Sequence, residues 1–142
     1  MTPISKVALP ITIIAALYLL LSGNLFSLNF LLIMQILALA VMLWARRSFQ
    51  PSQFSIHAQP EAGRLLNSGP YQFVRHPMYA AALLMIWAGI LGHFSPLNLV
   101  IGMVVTGVIW VRILVEEQLL RTNYPGYGTY SNKTKRLIPF VV

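Results

Sequence analysis

The chain contains no cysteine, which excludes disulfides, thiolate zinc sites and cysteine nucleophiles. Charge is nearly as scarce. Only 9% of residues are Asp, Glu, Lys or Arg, against roughly a quarter in an ordinary soluble domain. No G-x-G-x-x-G follows a candidate strand and no P-loop occurs, so a nucleotide-like ligand would not be held by either device. His57, His76 and His93 lack metal-ligand spacing, and no serine sits in a nucleophile-elbow setting.

What the chain has in abundance is apolar surface. Hydrophobic residues make up 57% of its 142 positions, and the mean hydropathy is +0.70. A chain of this length forms one domain, 1–142, and this composition predicts an integral membrane protein. The net charge of +7 does not point to nucleic acid, because the basic residues flank the apolar runs, as in cytoplasmic loops that touch anionic membrane lipids. Residues 7–21 resemble a signal peptide, but no small-residue cleavage pattern follows, so the stretch is expected to be a retained span.

Four apolar stretches predict an all-α, polytopic helix bundle: Val7–Ser22, Leu28–Ala45, Met78–Phe94 and Leu97–Val115. Each approaches the ~20 residues that cross a bilayer. Pro10 is expected in the first turn of the first span, where a missing N–H costs little. The turns after the first and third stretches carry no formal charge. Lys6, the segment 46–75 and the tail from Arg112 carry all of it. The positive-inside rule then predicts a multi-pass topology with four transmembrane helices, both termini and the long loop being cytoplasmic. Pro51, Pro60, Gly63, Gly69 and Pro70 punctuate that loop, and its scattered apolar residues predict that it packs on the bundle. Residues 124–130 read as a turn-rich aromatic segment.

Two polar islands interrupt the apolar sequence. In Arg75-His76-Pro77-Met78-Tyr79, Pro77 suits the first position of a helix and biases His76 away from helical geometry. A helix N-terminus carries partial positive charge and favours a carboxylate or phosphate. The alternative is an interfacial belt of Arg, His and Tyr that anchors headgroups. In the second island, Arg112 and Glu116 are spaced i, i+4 and share a helical face, while Glu117 points about 100° away. Here the alternative is an intrahelical ion pair. Against it, ionisable groups near a span are costly and tend to face a polar cavity. An Arg fork suits a carboxylate, and a Glu suits an ammonium or sulfonium.

With these residues in view, the chain resembles the isoprenylcysteine carboxyl methyltransferases and their phospholipid N-methyltransferase relatives. The likeness runs through Gly63-Arg64-Leu65-Leu66, Ser68-Gly69-Pro70-Tyr71, Val74-Arg75-His76-Pro77-Met78-Tyr79, Arg112-x-x-x-Glu116-Glu117, Tyr127-x-x-Tyr130 and Arg136-Leu137-Ile138-Pro139-Phe140. It covers residues 63–140, and the first two spans carry no signature. The resemblance implies S-adenosylmethionine entering a pocket on the cytoplasmic side, enclosed by the loop, the Arg-His-Pro helix start and the C-terminal segment. It also implies a lipophilic or lipidated acceptor arriving from the bilayer. Carried over, Leu65, Leu66, Tyr71, Arg75, His76, Pro77, Met78, Tyr79, Glu116 and Glu117 would bind the cofactor. Arg112 would hold the acceptor, a carboxylate in the prenylcysteine enzymes, and Arg112 and Glu116 form the catalytic pair. Two departures stand out. Ala81-Ala82 follow Tyr79 where such families have Gly two residues on, and Pro125-Gly126 precede Tyr127 where they have Gly with acidic residues.

Two other functions compete. An NADPH-dependent reductase of the sterol-reductase kind would carry Asn after His-Pro and an acidic residue shortly after the tyrosine. Met78 and Ala82 stand there instead. A non-catalytic membrane scaffold would keep the fold without needing both islands intact.

Overall fold

A computed structural model describes residues 3–26, 29–48 and 69–138. Among them the chain is helical: α1 (Pro3–Leu21), α2 (Leu31–Ser48), α3 (Pro77–Gly92), α4 (Pro96–Asn123) and the short α5 (Tyr127–Lys133). A 3₁₀ turn over Gly69–Gln72 precedes α3. No strand forms among the described residues beyond a single parallel bridge between Val74 and Lys135.

Each of the four apolar stretches is a helix. Of these, α2 and α4 are long and apolar enough to cross a membrane, whereas α3 and the apolar part of α1 (Lys6–Leu21) are shorter. Their outward faces present large apolar side chains, with Leu21 86%, Ile33 70% and Ile14 66% exposed. Apolar surface on that scale fits lipid contact rather than water.

Two boundaries differ from expectation by more than three residues. Helix α1 begins at Pro3, so Pro10 lies inside it rather than in its first turn. Pro10 cannot donate to the carbonyl one turn earlier. Such breaks are tolerated in apolar helices, where local adjustments re-satisfy the freed carbonyl. Helix α4 runs to Asn123 rather than stopping at Val115. Glu116-Glu117-Gln118-Leu119-Leu120-Arg121 are good helix formers, so the helix continues where the apolar run ends, until Pro125 prevents it.

Packing follows the helical period. Helix α2 buries Leu31, Gln35, Ala38 and Ala45, and lies along α3, which buries Ala81, Ala88 and Gly89. Small residues on facing helices let backbones approach, which matters where surrounding lipid supplies no hydrophobic drive. Helix α1 packs on α4. At the closed end of the bundle, Gly89 abuts the turn after α1, and a Cβ there would collide with the Leu25 carbonyl. Buried Gln35 ties the same turn to α3 by donating to Leu25 O at 2.5 Å and Met85 O at 3.4 Å. His93 Nε2 bonds Phe26 O at 2.7 Å, which joins the two uncharged turns.

The core comprises Leu19, Leu25, Ile86, Ile90, Val105, Ile109 and Ile113, and Leu137 of the C-terminal segment packs against it. Helix α4 starts from a Ser95 cap that accepts from Asn98 N at 3.1 Å, with Pro96 behind it. Its buried stripe runs Asn98, Gly102, Val105, Ile109, Arg112, Ile113 and Glu117. The inward face therefore turns from apolar to charged within one helix, at the end where α3 begins.

Candidate functional site

The site grows from the start of α3. Pro77 is its first residue, and His76 before it is non-helical at φ −128°, as the His-Pro pair predicts. The His76 side chain makes no capping bond to the helix. Its ring is 5% exposed, yet Nε2 has no hydrogen-bond partner. Glu117 Oε1 is the nearby carboxylate, at 3.5 Å. The ring stacks on Tyr79 with centroids 5.6 Å apart. An uncommitted polar atom in so buried a place usually answers to a ligand or water.

One turn further on, Tyr79 reaches α4. Its hydroxyl accepts from Arg112 Nε at 2.6 Å and donates to Glu116 Oε2 at 2.9 Å. Arg112 is 5% exposed and thus faces inward, while Tyr79 and Glu116 are half-buried. The arrangement offers a carboxylate, a phenol and a guanidinium in one continuous chain, with an imidazole stacked beside them.

Glu117 points to the other side and is buried at 3% exposure. Arg75 Nε donates to its Oε1 at 2.8 Å, and Arg136 Nε to its Oε2 at 3.1 Å. Arg75 Nη1 also donates to the carbonyls of Ser131 at 2.5 Å and Thr134 at 2.9 Å. Arg75 and Glu117 are therefore engaged with each other and with the C-terminal segment.

That segment is better ordered than its sequence suggests. Residues 127–133 form α5 rather than a run of turns. Gly128, Ser131 and Asn132 favour loops, but Tyr127 is fully buried and Tyr130 Oη donates to Tyr71 O at 2.7 Å. Burial pushes the Tyr130 phenol up to about 12, so it remains a donor at neutral pH. Tyr71 is buried in the 3₁₀ turn. Gly69 opens that turn at φ +58°, and a Cβ there would strike the Ser48 hydroxyl at the end of α2. The turn is thereby docked on α2 before the chain enters α3.

Of the expected site residues, Tyr71, Arg75, His76, Pro77, Met78, Tyr79, Arg112, Glu116 and Glu117 come from the start of α3, the turn before it and the end of α4. Leu65 and Leu66 lie outside the described residues, as do Pro139 and Phe140. Sequence reasoning missed Arg136 as a partner of Glu117, and Ser131 and Thr134 as carbonyl acceptors for Arg75. Backbone carbonyls leave no sequence signal, while the basic run before Pro139 was the one available hint.

No curated protein and no solved structure matches the chain. The family model for phospholipid methyltransferase matches residues 11–126, which hold all of α2, α3 and α4 and most of α1, and the chain accordingly belongs to the phospholipid methyltransferase family.

Proposed function

We propose that the chain is a multi-pass membrane enzyme that uses S-adenosylmethionine to methylate a lipophilic acceptor, in the manner of the isoprenylcysteine carboxyl methyltransferases. The observation that carries the reading is the union of buried His76 and Arg112 with half-buried Tyr79 and Glu116 where α3 begins and α4 becomes charged. Family membership supports methyl transfer as the reaction.

The residues fit the donor. His76 Nε2 is buried with no hydrogen bond made, Glu117 Oε1 lying 3.5 Å away, and the first turn of α3 carries N–H groups that no helical carbonyl satisfies. Together they suit a carboxylate. Tyr71, Pro77 and Met78 flank that start and would wall the pocket. Glu116 supplies the negative charge that a sulfonium or ammonium needs nearby. When bound, S-adenosylmethionine supplies an electrophilic methyl group on a cationic sulfur. Tyr79 then holds Glu116 in place through its hydroxyl, and Arg112 holds Tyr79 in turn. The Arg112 fork also suits a carboxylate acceptor, which as an anion needs no general base. Orientation and exclusion of water are thus the protein's main contributions.

The bundle runs antiparallel, with Lys6, Arg46, Arg47, Arg75 and Arg121 all toward one end. The positive-inside rule assigns that end to the cytoplasm, with α1–α4 all spanning. The shorter α1 and α3 would be matched by local bilayer thinning.

The test is to titrate the full chain in detergent with S-adenosylhomocysteine and separately with NADPH, following thermal stability. Isotopically labelled donor is then incubated with the protein and membrane lipids. Stabilisation by S-adenosylhomocysteine and label in a lipid-soluble product are expected. Stabilisation by NADPH alone, or by neither ligand, would overturn the reading. Label on an amine headgroup rather than a carboxylate would correct the acceptor and keep the donor.

A further inference from the structure

We infer that Glu117 is a positioning residue: it holds the strap Ser131–Ile138 and the His76 ring against the start of α3, and so sets donor affinity without touching the donor. The inference rests on the methyltransferase reading and divides the labour between two adjacent glutamates.

The division is geometric. Glu116 reaches Tyr79, whereas Glu117 faces Arg75 and Arg136. Each Glu117 oxygen already accepts a guanidinium bond, at 2.8 Å from Arg75 Nε and 3.1 Å from Arg136 Nε. Its two oxygens are thus engaged with protein groups, and His76 Nε2 lies 3.5 Å from Oε1. Glu117 thereby has a place in three segments at once. Arg75 precedes α3, Glu117 lies near the end of α4, and Arg136 lies in the strap.

The strap is stitched to the same place by backbone bonds. Arg75 N donates to Lys135 O at 2.7 Å, His76 N to Arg136 O at 3.0 Å, and Lys135 N to Phe73 O at 3.2 Å. Arg75 Nη1 adds the Ser131 and Thr134 carbonyls. Arg136 also lies over the Trp110 ring at 5.7 Å, and Leu137 packs on the core. His76 is thus gripped by its backbone from the strap and has its ring between Tyr79 and Glu117. Loss of the Glu117 charge leaves the buried Arg75 guanidinium without its carboxylate, and the strap without the hub that fastens it to α4. Donor binding then has to re-order His76 and the strap as well as fill the pocket.

Glu117→Gln and Arg136→Gln test this in the full-length protein. Arg136 is partly exposed, so its variant remains informative if Glu117→Gln fails to fold. Two quantities are read: the dissociation constant for S-adenosylhomocysteine, and the rate of tryptic cleavage after the exposed Lys133 and Lys135. Glu117→Gln is expected to weaken binding at least tenfold, and to raise the donor KM while leaving the acceptor KM unchanged. Cleavage of the strap should accelerate. Arg136→Gln should act in the same direction with a smaller effect, and S-adenosylhomocysteine should slow cleavage of the wild type. Wild-type affinity in both folded variants would overturn the inference. Faster cleavage with unchanged affinity would also overturn it, leaving Glu117 a structural tie. Failure of the wild type itself to bind S-adenosylhomocysteine would overturn the methyltransferase reading on which the inference rests, a result that no variant comparison can mimic.

Discussion

Tyr79→Phe removes one oxygen atom and tests how the site is held. That oxygen joins Arg112 Nε at 2.6 Å to Glu116 Oε2 at 2.9 Å. Hydrogen bonds to charged groups contribute about 1.5–3 kcal/mol each, so losing both with no replacement would cost about 3–6 kcal/mol. Arg112 and Glu116 sit one turn apart on α4 and can close on each other once the oxygen is gone, which recovers part of that cost. The net loss is about 2 kcal/mol, equivalent to about 30-fold in rate or affinity. The ring itself stays, so stacking on His76 and contact with the core are preserved. The assay is S-adenosylhomocysteine calorimetry together with methyl-transfer rates, with circular dichroism as the control for folding. A folded Tyr79→Phe protein with wild-type affinity and rate would refute the idea that this hydroxyl organises the site.

Other substitutions separate donor, acceptor and scaffold. Arg112→Lys keeps the charge but loses the planar fork, and should raise the acceptor KM more than the donor KM. Equal loss of both would refute a role specific to the acceptor. His76→Ala should weaken S-adenosylhomocysteine by about 1–3 kcal/mol, roughly 5- to 150-fold; unchanged binding would return His76 to an interfacial role. Thr106→Val removes the acceptor for Trp87 Nε1, 3.0 Å away. It should lower the melting temperature by about 2–4 °C, for about 1 kcal/mol lost in a chain of this size, with donor affinity unaffected. Gly89→Val drives a side chain into the Leu25 carbonyl and should destabilise by about 1–3 kcal/mol or more, read as a lower midpoint with no selective effect on either substrate.

The parts of the structure legible in the sequence were those set by local rules. Apolar runs mark α1 to α4 because helices in oil must be apolar. Pro77 marks the start of α3 because it fits only the first turn, and it holds His76 out of the helix. The i, i+4 spacing brings Arg112 and Glu116 to one face, where Tyr79 meets both. What was not legible depends on contacts distant in sequence. Nothing in Glu117 announces Arg75, 42 residues earlier, or Arg136, 19 residues later. The residues of α5 have weak helical preference, and tertiary burial of Tyr127 overrides it. The end of α4 was misplaced because hydropathy marks where oil ends, whereas the helix ends where its backbone bonds stop, at Tyr124 N to Leu120 O. Helix α1 shows the converse. A helix start at Pro3 leaves Pro10 inside it, although proline rules alone favour Pro10 near an end.

The proposed catalysis requires the donor to lie where α3 starts and α4 ends. The most direct measurement is an experimental structure of the full chain with S-adenosylhomocysteine bound. The account predicts the ligand within hydrogen-bonding distance of His76 Nε2 and beside Glu116, with Arg75 and Arg136 still on Glu117. A ligand bound elsewhere on the bundle, with His76 and Glu116 both untouched, would contradict it.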